Sequence, residues 1–246
     1  MAHPAVAVLE SALRARKLDR TLTTTLPPVE GADPSCLVPL DIPVVDACLR
    51  GGLPRGQLSE LAGPCSSGRM TLVLQLIASA TQRGEIAALV DTCDRLDVAS
   101  AAAAGVDLDR LLWIRGMATG GSGRQDPLYG IDRALKALNL VLQAGGFGLV
   151  AIDLADVPAA TLRQIPFTTW PRVQRVIEGS DTACVLLTPE PLARSAGGLT
   201  LSLAGRSAWT GVSDRSRLLQ GNDLRVRVMS PRKRIDGDVR VRAVVS

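Results

Sequence analysis

From Gln57 onward, short apolar runs alternate with segments of helical period. Gln57–Ala62 predicts a strand, and Thr71–Gln82 a helix that sets Leu72, Leu76 and Ala80 on one face. Glu85–Asp91 predicts a buried strand, Val98–Ala104 an alanine-rich helix, Leu111–Ile114 a strand and Pro127–Ala144 a long helix. Phe147–Asp153 is an apolar run ending in an acid, residues 171–179 predict a helix, and Ala183–Leu187 predicts a further strand. This alternation predicts a mainly parallel α/β sheet with helices on both faces. After Gly198 the helical period stops. Leu199–Leu203, Ser207–Val212, Leu224–Met229 and Val239–Val245 then predict short antiparallel strands at the sheet's C-terminal edge.

The N-terminal end is organised differently. Over residues 5–19, Val6, Leu9 and Leu13 follow a helical spacing, and Arg14, Arg16 and Lys17 stand where a helix dipole favours cations. Thr21–Pro34 mixes Thr, Pro and Gly and reads as a linker. Three parts are expected: residues 1–34 as amphipathic helix and linker, 35–213 as the core, and 214–246 as a basic strand or hairpin segment.

The charge sharpens that division. Residues 215–246 hold nine Lys and Arg against Asp223, Asp236 and Asp238, more than the whole formal charge of +4. Within this segment Arg225, Arg227, Arg232, Lys233 and Arg234 are the candidate contacts to DNA or a partner protein, and a solvated hairpin is the plain alternative. Hydrophobic residues at 46% and charged residues at 21% suit a packed globular chain. No run of about 18 apolar residues occurs and no leader is evident, so the expected location is the cytoplasm, with nucleoid association open and no membrane partner.

Chemistry is narrowed mostly by what is missing. Five scattered cysteines without a C-x-x-C spacing suggest neither a zinc site nor a disulfide framework. His3 is the sole histidine, which leaves a Ser/His or Cys/His pair without its base. The stretch from Gly63 to Thr71 has the glycine spacing of a phosphate-binding loop, G-x-x-x-x-G-K-[ST]. Such a loop wraps phosphates in backbone N–H groups, sets a Lys ammonium on them and gives a hydroxyl to Mg²⁺. Here Arg69 stands in place of the Lys and Met70 in place of the hydroxyl; Thr71 is turned about 100° away by one helical step. Gly63, Ser66, Ser67, Gly68, Arg69, Met70, Thr71 and Asp153 are therefore the candidate nucleotide or phosphate site, in degenerate form. No catalytic residue and no metal ligand is assigned, and the cofactor expectation is limited to weak ATP and Mg²⁺ binding. Arg69 can fork onto a phosphate, or the loop is kept only for packing. Asp153 ends a central strand where α/β sheets bind ligands, or caps the turn that follows.

Taken together, Gly51–Gly56, Glu60–Leu72 and Gln75–Ala78 resemble the opening of the RecA ATPase core. The resemblance runs on through Leu89-Val90-Asp91, Leu96-Asp97 and Gly105-Val106-Asp107. Leu149–Asp153 is similar to that family's second acidic strand, and Ser195–Gly198 to the end of its second DNA-binding loop. The resemblance implies a RecA-like P-loop core. It also exposes departures: Cys93 stands at the position of the water-activating glutamate, and Ser100 at that of the adenine-stacking tyrosine. Losing a general base forfeits about 10²–10⁴ in rate. The loop between Leu187 and Leu199 is short, and three Trp, one Tyr and two Phe make a poor stacking platform for bases.

With its degenerate loop and basic tail, the chain resembles the ImuA family, RecA-like accessory proteins encoded with ImuB and an error-prone polymerase. This resemblance implies a catalytically silent adaptor in translesion synthesis and induced mutagenesis after DNA damage. Its implied partners are RecA, an ImuB-type protein and the error-prone polymerase complex, with only weak contact to DNA. Two alternatives are a weakly active DNA-dependent ATPase and a DNA-binding module acting through the basic tail.

Overall fold

Leu58–Ala62 forms β3, and every one of its residues is buried, the polar Ser59 and Glu60 included, as a strand between two covered sheet faces requires. The computed structural model describes residues 34–116, 127–193, 198–211, 216, 218–230 and 238–244, all within one compact unit. The amphipathic segment predicted over 5–19 lies outside the described residues, as do Arg232, Lys233 and Arg234. No helix among the described residues is long and apolar enough to cross a membrane.

After β1 (Leu37–Val38) come α1 (Pro43–Cys48), β2 (Leu53–Pro54) and β3, then α2 (Arg69–Gln82) and β4 (Ala87–Asp91). There follow α3 (Val98–Ala103), β5 (Leu111–Arg115), α4 (Pro127–Ala144) and β6 (Leu149–Asp153). The chain continues through α5 (Ala159–Leu162), α6 (Thr169–Ile177) and β7 (Ala183–Thr188), then β8 (Thr200–Thr210), β9 (Leu218–Ser230) and β10 (Asp238–Val244). The main sheet has eight strands in the order β10-β9-β8-β3-β7-β6-β4-β5. From β8 to β5 all neighbours are parallel, while β9 and β10 add antiparallel strands beyond β8. This is the predicted α/β architecture with its antiparallel edge.

Two apolar layers enclose the sheet. On one face α2 is buried along most of its length, with Leu72, Leu76 and Ile77 packed against Leu61, Leu89, Val185 and Leu201. On the other, Ile131, Leu138 and Val141 of α4 and Trp170 and Val173 of α6 cover Val90, Ile152 and Leu186. Arg55 ties the amino ends of the strands together: it donates to the carbonyls of Asp181 and Gly148 and pairs with Glu85 at 2.8 Å.

Three differences from the expected elements have local causes. Pro43 opens α1, a helix that the apolar pattern does not predict, where a proline at the first position loses no needed N–H. The two segments predicted at Leu199–Leu203 and Ser207–Val212 merge into one strand, β8, as far as Thr210; Val212 lies outside the described residues. Its outer half from Ala204 to Thr210 is largely exposed, so the inside/outside alternation fades without the backbone pairing ending. The predicted strand at Leu224–Met229 is the inner part of the longer β9; its Val226 and Val228 are buried in the same apolar layer as α2, and Leu224 is buried beside Gly68.

Candidate phosphate loop and strand-end site

The loop between β3 and α2 keeps the turn its glycines predict. Ser66 adopts φ 60° and Gly68 φ 85°, and Gly68 caps α2 in the left-handed conformation without any side-chain cap. Leu72 is the first residue whose N–H bonds back into the helix, to Gly68, so the N–H groups of Gly68 through Thr71 face the loop. A helix terminus of this kind has the backbone arrangement that suits an anion.

Its side chains are directed elsewhere. Arg69 is buried and turned inward, where Nη1 donates to the carbonyl of Thr188 at 3.0 Å and of Ala155 at 3.3 Å. Met70 packs half-buried against the α2 layer, and Thr71 is exposed. Ser67 is buried with an unpartnered hydroxyl, Gly63 donates its N–H to Thr188, and Asn222 of β9 donates to the Ser66 carbonyl at 3.3 Å. Strands β8 and β9 close one flank of the loop. A Cβ on Gly68 would lie 2.1 Å from Leu224 Cδ2, and one on Gly205 would lie 2.5 Å from the Ser66 oxygen.

Asp153 lies beside the loop at the carboxyl end of β6, buried, with Oδ1 accepting the Ala155 N–H at 2.8 Å. Burial lifts its carboxyl from 3.8 to about 6. Asp91 and Asp156 push in the same direction, while the Ala155 N–H and the Arg69 charge oppose it. Between these two values the folded chain holds a proton that the unfolded chain releases, so stability falls as pH rises through that window. Asp153→Asn keeps the acceptor and removes the charge. It should therefore be more stable than the parent by about 1–3 kcal/mol at pH 7, with the gain vanishing near pH 4. Urea titrations at both pH values check this, and an equal gain at both contradicts it.

The neighbouring acids are committed to structure. Asp91 accepts the N–H groups of Arg95 and Leu96 and the Trp113 indole. Asp94 is held by both nitrogens of the Arg115 fork at 2.8 Å, and Arg115 stacks 4.5 Å over Trp113. Burial, with the nearby charge of Asp153 and Asp156, raises the Cys93 thiol above its usual range, so Cys93 supplies no base at neutral pH. Ser100 donates to its own helix cap, Asp97. No cluster of three metal-ligating side chains occurs among the described residues. A loop with an inward guanidinium, a thioether in place of a hydroxyl and a protonated thiol in place of a carboxylate does not fit a reacting magnesium nucleotide.

One residue of the site escaped the reading. Glu60, in the middle of β3, is buried; its Oε1 accepts the Thr188 hydroxyl at 3.0 Å and the Leu192 N–H at 2.6 Å. Ala193 donates to both of its oxygens at 3.2 Å. Burial raises its carboxyl, against the pull of these donors. A lone acid inside an apolar run was the available signal. Of the basic candidates, Arg225 and Arg227 are exposed on β9; Arg225 stands opposite Arg240 in β10, and Arg227 opposite Ser202 in β8.

A glycine-turned loop from a central strand into a buried helix, beside a second acidic strand, defines the class of P-loop α/β cores. Residues 38–163 match the family model described as the RecA N-terminal domain, and the chain belongs to that family. It is 40% identical over 103 residues to Protein RecA of Borrelia hermsii, a match covering 42% of this chain and 26% of the relative. It is also 37% identical over 132 residues to Protein RecA of Clavibacter michiganensis subsp. michiganensis, covering 52% of this chain and 33% of the relative. The matched stretch thus spans between a quarter and a third of these relatives.

Proposed function

We propose that this chain is a catalytically silent RecA-family adaptor of the ImuA type. It serves DNA damage tolerance by translesion synthesis and docks RecA and an ImuB-type, polymerase-associated protein. The observation that carries the silent reading is Arg69: its guanidinium is spent on two backbone carbonyls and not aimed into the loop. Met70 and Cys93 support it, since each replaces an oxygen that phosphoryl transfer uses for metal or water. In this reading residues 1–34 and the basic segment 214–246 carry the docking surfaces, and 35–213 is the scaffold between them.

A second reading concerns DNA. Alternation puts Arg206, Arg225, Arg227 and Arg240 on one exposed face of β8–β10, with Asp223 among them. Exposed guanidinium groups on one sheet face suit phosphate oxygens. Weak, salt-sensitive contact to phosphates is in keeping with it.

Purified protein should release no phosphate from ATP above background, with or without single-stranded DNA. DNA-stimulated turnover that disappears in Arg69→Ala would overturn the silent reading and install the weak ATPase in its place.

A further inference from the structure

Arg69 begins a continuous chain of hydrogen bonds that leaves the phosphate loop and ends in the segment after β7. Its Nη1 holds the Thr188 carbonyl, which also accepts the Gly63 N–H at 3.1 Å. The Thr188 hydroxyl donates to Glu60, and Glu60 holds the N–H groups of Leu192 and Ala193. Arg69, Thr188, Glu60 and Ala193 are all buried, so water does not substitute for any member. The second Arg69 bond, to Ala155, fastens the turn after β6 to the same guanidinium.

We propose that Arg69 is a built-in cation for the strand ends, a positioning residue that locks Leu192 and Ala193 in one arrangement irrespective of nucleotide. The inference rests on the silent reading of the loop and adds a purpose to it. With an external ligand, the geometry after β7 would follow whether the loop is filled. With an internal guanidinium, it is fixed whenever the chain is folded. Thr188 is the joint of the device because its carbonyl faces Arg69 and its hydroxyl faces Glu60. Glu60 is the anchor because one carboxylate gathers three donors. Ser59, its neighbour on β3, accepts the Leu199 N–H at 3.1 Å, so the far end of the same connection is pinned to the adjacent residue.

Amide hydrogen exchange at Leu192 and Ala193 tests this in the full chain. In the parent protein both amides should be protected to the same degree with and without magnesium and ATP. Arg69→Met should speed their exchange about tenfold beyond any speeding at the β4 amides, which report the global loss of stability, as expected for losing roughly one charge-assisted hydrogen bond from the network. Thr188→Val, which cuts the chain without touching either charge, should loosen the same two amides and serves if Arg69→Met does not fold. Unchanged exchange at Leu192 and Ala193 in a folded variant overturns the proposal, as does a change in the parent protein on adding magnesium ATP. Turnover of ATP by the parent protein would strike the proposed function alone, because the exchange comparison reads the hydrogen-bonded chain and not catalysis.

Discussion

Arg69→Met should lower the unfolding free energy by about 3 kcal/mol, read as a shift of the urea midpoint at pH 7. Methionine keeps the bulk of the stem, so the loss isolates the guanidinium. The Ala155 and Thr188 carbonyls lose a charged donor, and the Asp153 carboxylate loses its nearby cation while still buried. Removing one member of a buried charged set leaves the others uncompensated, which costs more than the set contributed when complete. The double variant Arg69→Met, Asp153→Asn should therefore recover part of the loss, and Asp153→Asn should stabilise the Arg69→Met background more than the parent. The non-additivity of this cycle reports the coupling directly. A fully stable Arg69→Met would mean that the guanidinium holds nothing.

Removing the basic C-terminal segment should have a still larger effect. A chain ending at Gly211 loses β9 and β10, and with them Val226 and Val228 from the α2 layer, the packing of Val239 and Val241, and the buried Leu224 against Gly68. It also leaves β8 as a long unpaired edge, open to association. Leu224→Ala alone should cost about 3 kcal/mol, in the range for buried leucines. The loss of the whole pair of strands exceeds the roughly 5–15 kcal/mol that holds such a domain folded. Far-UV circular dichroism and solubility of the truncated chain check this; a soluble, cooperatively unfolding product would contradict it. Partner binding by the tail is accordingly tested by charge reversal at exposed Arg225 and Arg227, which leaves the buried face of β9 intact.

Much of this architecture was legible from local signals. The strands at Ala87–Asp91, Leu149–Asp153 and Ala183–Thr188 are apolar up to their last residue, and the α4 boundaries coincide with Pro127 and the paired glycines after Ala144. The loop was legible because Gly68 must sit at positive φ and a Cβ on Gly63 would lie 2.5 Å from the Leu203 oxygen, local demands that sequence records. The direction of Arg69 was not, because its acceptors lie 86 and 119 residues away and depend on how β6 and β7 end beside the loop. Glu60 escaped for the same reason: its donors come from a connection more than 120 residues downstream. Leu224 read as one apolar position in a basic tail, whereas its place against Gly68 follows from the β8–β9 register.

The proposed docking of this RecA-family chain to its partners is expected to be independent of nucleotide. The most direct test is the affinity of the full-length chain for RecA and for an ImuB-type partner, measured by calorimetry with and without saturating magnesium ATP. Both partners should bind with the same affinity in either condition. Binding that requires ATP, or is abolished by it, would contradict the account.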